Sequence, residues 1–139
     1  MKWLLDTVAL SATRRPDRAD PAVIRWLELQ NPYSLYISAM TMFEIELGTA
    51  QKEHSDPAQG ADLRRWVDDV QLTFGERILP VDHEIAGVAA AYHVPDPRPE
   101  RDALIAATAE VANLVVVTRN VRDFEAFGVP LFDPWSAGS

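Results

Sequence analysis

The sequence predicts an α/β fold with a mainly parallel sheet, and three observations lead to that prediction. Short apolar runs rich in Val, Ile and Leu alternate with longer amphipathic segments, which is the pattern of strands covered by helices. Helix-capping residues such as Asp20 and Ser38 precede several of the longer segments. The run Leu114–Val117 is apolar throughout, as expected of a strand buried on both faces. With 139 residues, we expect one domain spanning 1–139.

Five short strands are expected. They are predicted at Lys2–Leu5, Leu35–Ile37, Ile78–Val81, Leu114–Val117 and Val129–Phe132. Pro80 lies in the third of these runs, and a proline suits an edge strand because it cannot donate a ladder hydrogen bond.

Helices are expected between these strands. The predicted segments are Asp20 to about Gln30, Ser38 through Leu47, Asp62–Phe74, a helix capped by Asp82, an alanine-rich helix that begins near Pro99, and a turn at Val121–Phe127 that ends at Gly128. Gly48 suggests close packing or a bend, because glycine in a helix costs about 1 kcal/mol relative to alanine. The remaining predictions are loops at Glu53–Gly60 and Val94–Pro99, and a tail at Asp133–Ser139.

Composition excludes several classes of site and leaves nucleic acid open. The chain has no cysteine, and its three histidines show neither HxH nor HExxH spacing, so thiolate chemistry and a histidine zinc site are not expected. No signal peptide and no membrane span is predicted, which favours a cytoplasmic protein. The formal net charge of −8 argues against nucleic acid, but 11 of the 13 basic residues are arginine, the side chain best shaped to bind phosphate. Seven arginines lie close in sequence to the acids discussed next, namely Arg14, Arg15, Arg18, Arg98, Arg101, Arg119 and Arg122.

Four acidic residues are predicted to meet at one edge of the sheet. Asp6 follows the first strand, Glu44 lies in the helix after the second, Asp102 lies near the start of the alanine-rich helix, and Asp123 comes one turn after Thr118–Asn120. In α/β proteins, ligands gather beyond the carboxyl ends of the strands. Crowded carboxylates repel one another unless a cation neutralises them, and hard oxygen ligands suit Mg²⁺ or Mn²⁺. Such ions support phosphodiester hydrolysis.

Each of these acids also has an ordinary structural interpretation. The interpretations are, in chain order, a strand-end turn residue for Asp6, an exposed helix face for Glu44, a helix-end charge for Asp102 and a surface ion pair for Asp123. Thr118 and Asn120 are turn residues in the same view. Other chemistries are excluded more firmly, because the chain lacks GxGxxG, GxxxxGK[ST] and GxSxG motifs, and Val8 stands where a phosphoaspartyl hydrolase has its second acid.

Taken together, these residues resemble the PIN-domain ribonucleases, in particular the VapC toxins of toxin–antitoxin pairs and the related FitB group. The resemblance extends from Trp3 to Trp135 and depends on the order and spacing of short motifs. These motifs are Leu4-Leu5-Asp6-Thr7, Ile37-Ser38 followed by Glu44 and Gly48, Asp102-Ala103-Leu104-Ile105-Ala106-Ala107-Thr108-Ala109, and Thr118-Arg119-Asn120 with Asp123-Phe124.

The resemblance implies a fold, an activity and partners. The expected fold is a PIN-like three-layer α/β/α sandwich around a short, mainly parallel sheet, and the expected activity is metal-dependent endoribonuclease action. The family's Mg²⁺ or Mn²⁺ ligands and catalytic acids match Asp6, Glu44, Asp102 and Asp123, and its supporting polar positions match Thr7, Thr118 and Asn120. Family members usually form homodimers and are inhibited by a cognate, VapB-like antitoxin, which binds an apolar groove, reaches toward the acids and connects the toxin to DNA only indirectly.

Two features of the sequence bear on the site. The family commonly has an asparagine where this chain has Val8, which is expected to change the hydrogen bonds around the acids more than the ligands themselves. Glu46 lies close to Glu44, but the ExxxG spacing to Gly48 favours Glu44, and the two side chains point about 200° apart around a helix.

Two functional hypotheses follow. In the first, the acids hold one or two divalent ions for phosphodiester hydrolysis, and nearby arginines such as Arg14, Arg15 and Arg98 bind the RNA backbone. In the second, the chain is a weakly active or inactive PIN module that works with a DNA-binding antitoxin to regulate its own operon. The net charge of −8 and Val8 favour the second hypothesis.

Overall fold

The computed structural model describes residues 1–136 and contains one parallel sheet of five strands. The strands are β1 (Trp3–Leu5), β2 (Leu35–Ser38), β3 (Ile78–Leu79), β4 (Val115–Val117) and β5 (Leu131–Phe132). Their order is β3-β2-β1-β4-β5, and every neighbouring pair is parallel. All five predicted strands are therefore present. β3 lies at an edge, as the adjacent Pro80 indicated.

Within residues 1–136, seven α-helices connect the strands. They are α1 (Thr7–Ser11), α2 (Pro21–Leu29), α3 (Ala39–Ser55), α4 (Pro57–Phe74), α5 (His83–Tyr92), α6 (Glu100–Ala112) and α7 (Val121–Phe124). Short 3-10 turns occupy Pro32–Ser34, Gly75–Arg77 and Glu125–Phe127. Gly128 ends the last turn in the left-handed region, at φ 72°, which glycine adopts without the strain of a side chain.

Three helices begin at the capping residues that the sequence indicated. The Asp20 carboxylate accepts from the N–H of Ala22, and the Ser38 hydroxyl accepts from that of Met40. The third cap is Asp82, whose carboxylate accepts a hydrogen bond at the start of α5. Each cap satisfies a backbone donor that the first turn of a helix leaves unpaired.

The sheet is the middle of three layers, because its strands bury both faces. On β1, Leu4 belongs to an apolar cluster that includes α6, and the next residue, Leu5, belongs to one that includes α1, α3 and α4. Val116 and Val117 of β4 divide in the same way. Neighbouring residues of a strand point to opposite faces, so helices cover both sides. The predicted α/β/α sandwich is confirmed.

The structure corrects one local prediction and adds one helix. The loop predicted at Glu53–Gly60 is wrong, because α3 continues to Ser55 and α4 starts at Pro57, with Asp56 as the cap between them. The sequence also gave no indication of α1, which starts directly after Asp6. Of the predicted tail, residues 137–139 lie outside the described part of the chain.

The close approach expected at Gly48 is found at Gly60 instead. A Cβ atom added to Gly48 would have no neighbour within 4 Å, whereas one added to Gly60 would lie 2.4 Å from the Cα atom of Glu53. Gly60 therefore allows the backbones of α3 and α4 to come together. Searched over residues 1–136, the chain has no helix long and apolar enough to cross a membrane.

The two glycines lead to opposite expectations for stability. Gly60→Ala is expected to lower the free energy of unfolding by about 1–3 kcal/mol, because the added methyl group overlaps the backbone of α3. Gly48→Ala is the matched control and should raise it by up to about 1 kcal/mol, since it improves helix propensity in open space. Urea denaturation of both variants measures the two changes. Equal changes of the same sign would contradict the close approach of α3 and α4 at Gly60.

Candidate active site

Asp6 occupies the end of the central strand and the start of α1. Its backbone N–H donates to the carbonyl oxygen of Val117 at 3.0 Å, and its Oδ1 accepts from the N–H of Ala9 at 2.8 Å. Only 4% of the residue is exposed. One hydrogen bond therefore holds the backbone of Asp6 and the other holds its carboxylate, and the residue has little contact with solvent.

A pocket of about 210 Å³ lies beside Asp6 at the carboxyl edge of the sheet, and we call it the acid pocket. Its lining residues are Asp6, Thr7, Val8, Glu44, Asp102, Ile105, Asn120, Asp123 and Phe124. The strand order explains why four acids meet there. β2 and β4 flank β1, so Glu44 on α3 and Asp123 on α7 approach Asp6 from the two sides. Asp102 comes from the first turn of α6.

The acid pocket is unfavourable for negative charge. Burial raises the pKa of Asp6 to about 6, and the charges of Asp102 and Glu44 add to the increase. Hydrogen bonds from the Thr118 side chain and the Ala9 N–H act in the opposite direction but are outweighed. Burial also raises the pKa of Asp102, with further contributions from Asp123 and Glu44. The carboxylates thus interact electrostatically although they are distant in sequence.

Glu44 and Glu46 lie in different surroundings. The Thr7 hydroxyl donates to Oε1 of Glu44 at 2.7 Å, and the guanidinium of Arg101 lies 3.8 Å from its Oε2. Glu46 does not line the acid pocket, and its carboxylate accepts from Arg64 of α4 at 2.6 Å. Of the two glutamates, Glu44 is therefore the one that can act together with Asp6.

The three predicted supporting residues form contacts around the acids. Thr7 lines the acid pocket and orients Glu44, as described above. Thr118 is fully buried, and its side chain forms a hydrogen bond to Asp6. The backbone N–H of Asn120 donates to the Thr118 Oγ1 at 2.9 Å, while Asn120 itself lines the pocket. Asp6 is thereby connected through Thr118 to the turn after β4.

The predicted arginines lie at different distances from the acids. Arg14 lines a second hollow of about 280 Å³, which also contains Thr7 and Glu44. Arg15 lines a third hollow that Arg14 shares, whereas Arg98 lies in the exposed loop before α6 and lines neither.

Sequence reasoning did not single out Arg101 as a partner of Glu44. The guanidinium of Arg101 stacks over the ring of the exposed Phe43, with 5.1 Å to the centroid, and approaches Glu44 from there. The available signal was the position of Arg101 directly before Asp102.

The donor chemistry of the acid pocket suits a hard cation, but the ligands are not gathered around one point. Within residues 1–136, no group of three or more aspartate, glutamate or histidine side chains is arranged so that it could hold a metal ion. The carboxylates are instead engaged by other groups, such as Thr7 and Arg101 at Glu44. Carboxylate oxygens are nevertheless the ligands that Mg²⁺ and Mn²⁺ prefer.

Comparison with known proteins gives a consistent result. The family model of the PIN domain matches residues 3–129. The chain is 32% identical to Toxin FitB of Neisseria gonorrhoeae over 95% of this chain and 97% of the relative. It is 44% identical to Ribonuclease VapC14 of Mycobacterium tuberculosis over 52% of this chain and 69% of the relative.

Solved structures agree with these relatives. FitAcB from N. gonorrhoeae superimposes with a TM-score of 0.86 at 31% identity, and the match covers 96% of this chain and 99% of that one. A toxin-antitoxin complex from Klebsiella pneumoniae matches with a TM-score of 0.65 at 28% identity, covering 96% and 98% of the two chains.

The raised pKa of Asp6 leads to a pH-dependent cost in stability. Between about pH 4 and pH 6 the unfolded chain releases this proton and the folded chain keeps it, so stability falls as pH rises through that window. Asp6→Asn removes this cost while keeping an acceptor for the Ala9 N–H.

We compare the free energy of unfolding of Asp6→Asn with that of the wild type in EDTA, at one pH above this window and one below it. The difference, variant minus wild type, is expected to be about 2–3 kcal/mol larger at the higher pH. Urea denaturation at both pH values measures this difference of differences. A difference that does not change with pH would contradict a raised pKa.

Proposed function

The chain belongs to the PIN domain family, and on this basis we propose that it is the toxin of a toxin–antitoxin pair and acts as an endoribonuclease. One observation carries the proposal. Four carboxylates from four separate elements line one pocket at the carboxyl edge of the sheet, and the most buried of them, Asp6, is held there at a cost. A fold does not retain such an arrangement for stability, so a functional role is the better explanation.

Metal dependence is part of this proposal. We assign Asp6, Glu44, Asp102 and Asp123 as catalytic residues and as the ligands of Mg²⁺ or Mn²⁺. Their support comes from the shared pocket and from mutual repulsion, which a divalent cation would neutralise. When bound, such an ion would activate a water and stabilise charge on the phosphoryl group.

The chain's own groups prepare the site for this chemistry. The Thr7 hydroxyl holds Oε1 of Glu44, and Thr118 holds the carboxylate of Asp6. An ionised carboxylate in the pocket can accept a proton from the attacking water. Burial of Asp6 limits the access of bulk water to its carboxylate, so the charge of Asp6 is screened less than a charge at the surface.

The RNA backbone is proposed to contact arginines beside the acid pocket. Arg14 has the strongest support, because it lines the hollow that shares Thr7 and Glu44 with the pocket. Arg15 follows, since its hollow adjoins that of Arg14. Arg98 has the weakest support, because only its exposure and its place before α6 favour it.

A cognate antitoxin is the proposed protein partner. An apolar groove of about 360 Å³ lies beside α2 and α4, and its walls include Leu5, Leu27, Val70 and Phe74. Trp66 lines both this groove and the hollow beside Glu44, so a bound segment can approach the acids. The toxin-antitoxin complex from K. pneumoniae supports such a partner. Any contact with DNA is proposed to be indirect, through the antitoxin, and the proposed location is the cytoplasm.

The second candidate is a PIN module with weak or absent nuclease activity that serves an antitoxin in operon regulation. Val8 favours it, because this apolar and 41% exposed side chain lines the acid pocket and offers no hydrogen bond to the acids. The Arg101 guanidinium favours it as well, since it lies 3.8 Å from the Glu44 carboxylate and would compete with a metal ion for it.

Substitution of single acids distinguishes the two candidates. Asp6→Asn, Asp102→Asn and Glu44→Gln are each expected to reduce metal-dependent cleavage of RNA by about 10²–10⁴-fold, because each removes a charge from the pocket. Glu46→Gln is the matched control for Glu44→Gln, because both residues lie on α3. It should keep full activity, since Glu46 pairs with Arg64 and does not line the acid pocket. Cleavage of a labelled total RNA by the purified chain provides the measurement. A wild type that cleaves no RNA would favour the regulatory module.

Metal binding can be measured without any cleavage. Saturating Mn²⁺ is expected to raise the unfolding temperature of the wild type. At a free Mn²⁺ concentration one hundred times the dissociation constant, the free energy of unfolding should increase by about 2.7 kcal/mol. Asp6→Asn should lose most of this gain, whereas Glu46→Gln should keep it. A wild type whose unfolding temperature does not respond to Mn²⁺ or Mg²⁺ would contradict the assigned ligands, whatever the cleavage assay shows.

A further inference from the structure

Three neighbouring hollows share lining residues with one another, beginning at the acids. The acid pocket shares Thr7 and Glu44 with the hollow of about 280 Å³, which we call the Gly48 hollow. That hollow in turn shares Ser11 and Arg14 with a third one of about 210 Å³, which we call the arginine hollow. We call the three hollows together the depression; they are lined in turn by the acids, by α3 and the end of α1, and by the segment that precedes α2.

Gly48 is one of the residues that line the middle hollow. It lies one helical turn after Glu44 on α3, and a Cβ atom there would meet no neighbour within 4 Å. Packing therefore does not require glycine at this position, although glycine weakens the helix. What the missing side chain does provide is open space in the hollow that Glu44 and Arg14 also line.

The walls of the Gly48 hollow suit a nucleobase. They include the apolar side chains of Ile45 and Leu63 and the indole ring of Trp66. The Trp66 N–H donates to the Thr13 Oγ1 at 3.3 Å, which restrains the orientation of the ring. Aromatic side chains in such positions stack on unpaired bases of any sequence.

The arginine hollow suits phosphate groups. Arg14, Arg15 and Arg18 line it together with small residues, and no acidic residue contributes to its lining. None of the ion pairs found within residues 1–136 engages these three guanidinium groups. In a chain of net charge −8, three arginines that line one hollow without any acidic residue are a local concentration of positive charge, which favours an anionic ligand.

On the basis of the proposed nuclease function, we propose that an unpaired RNA strand leaves the acid pocket across Gly48. One base lies in the Gly48 hollow against Trp66, and the phosphates that follow are bound by Arg14, Arg15 and Arg18. Gly48 is thus a residue that keeps the substrate path open. The path requires that this base be unpaired, because a base held in a duplex cannot stack on a side chain.

Binding of a short, unstructured, fluorescein-labelled RNA tests this path by fluorescence anisotropy. EDTA is present, so that the measurement does not depend on metal-supported cleavage. Gly48→Leu fills the hollow and is expected to weaken binding by about tenfold or more, consistent with the loss of one stacked base. Gly48→Ala should have a smaller effect.

Arg14→Ala is expected to weaken binding and to reduce the slope of log affinity against log salt by about 0.7, the value for one phosphate contact on a single strand. Arg25→Ala changes the charge equally at an exposed position of α2 that lines none of the three hollows, and it should keep the wild-type slope. This pair keeps the proposal testable if Gly48→Leu does not fold, which thermal unfolding detects.

The outcomes separate the path from the proposed nuclease function. Equal affinities for the wild type, Gly48→Leu and Arg14→Ala would overturn the path even if the wild type cleaves RNA. Gly48→Leu that binds RNA normally but no longer copurifies with its coexpressed antitoxin would overturn it too, and would assign the hollow to the protein partner. A third outcome is that Gly48→Leu and Arg14→Ala bind RNA more weakly, as expected, while the wild type cleaves no RNA. This would support the path and contradict the nuclease function.

Discussion

The burial of one carboxylate at the end of the central strand is the constraint on which the site depends. β1 is covered on both faces, so Asp6 follows a segment that cannot move toward solvent. The Ala9 N–H and Thr118 bind its carboxylate, but burial and the neighbouring acids outweigh them and raise its pKa to about 6. The apolar packing that fixes β1 therefore also makes it unfavourable to ionise the carboxylate of Asp6. The fold thus combines a rigid sheet with an unfavourable charge at its edge.

The sequence predicted most of the frame because its signals are local. Asp20, Ser38 and Asp82 each cap the helix that was expected of them, since a capping side chain needs only the next few backbone groups. The segment Glu53–Gly60 was mispredicted because Pro57 and Gly60 are typical of loops. Here Pro57 occupies the first turn of α4, and Gly60 accommodates the backbone of α3, a contact that depends on tertiary structure.

The candidate site was less predictable, because it depends on strand order. Placing Asp6 at a strand end required only the apolar run before it. That Glu44 and Asp123 approach it from opposite sides follows from β2 and β4 flanking β1, and no local pattern encodes that order. The pairing of Glu46 with Arg64 and the approach of Arg101 to Glu44 likewise depend on the packing of helices that are separate in sequence.

Taken as a whole, the net charge of −8 argues against an RNA substrate, yet distance decides how much each charge contributes. At physiological ionic strength, screening reduces interactions between exposed charges beyond about 8 Å, so acids elsewhere on the surface have little effect on a strand in the depression. The carboxylates of the acid pocket lie close enough to repel a phosphodiester. Binding of RNA then requires cations along the proposed path. The guanidinium groups of Arg14, Arg15 and Arg18, which form no ion pair within residues 1–136, are placed to bind the phosphates that lie beyond the acid pocket.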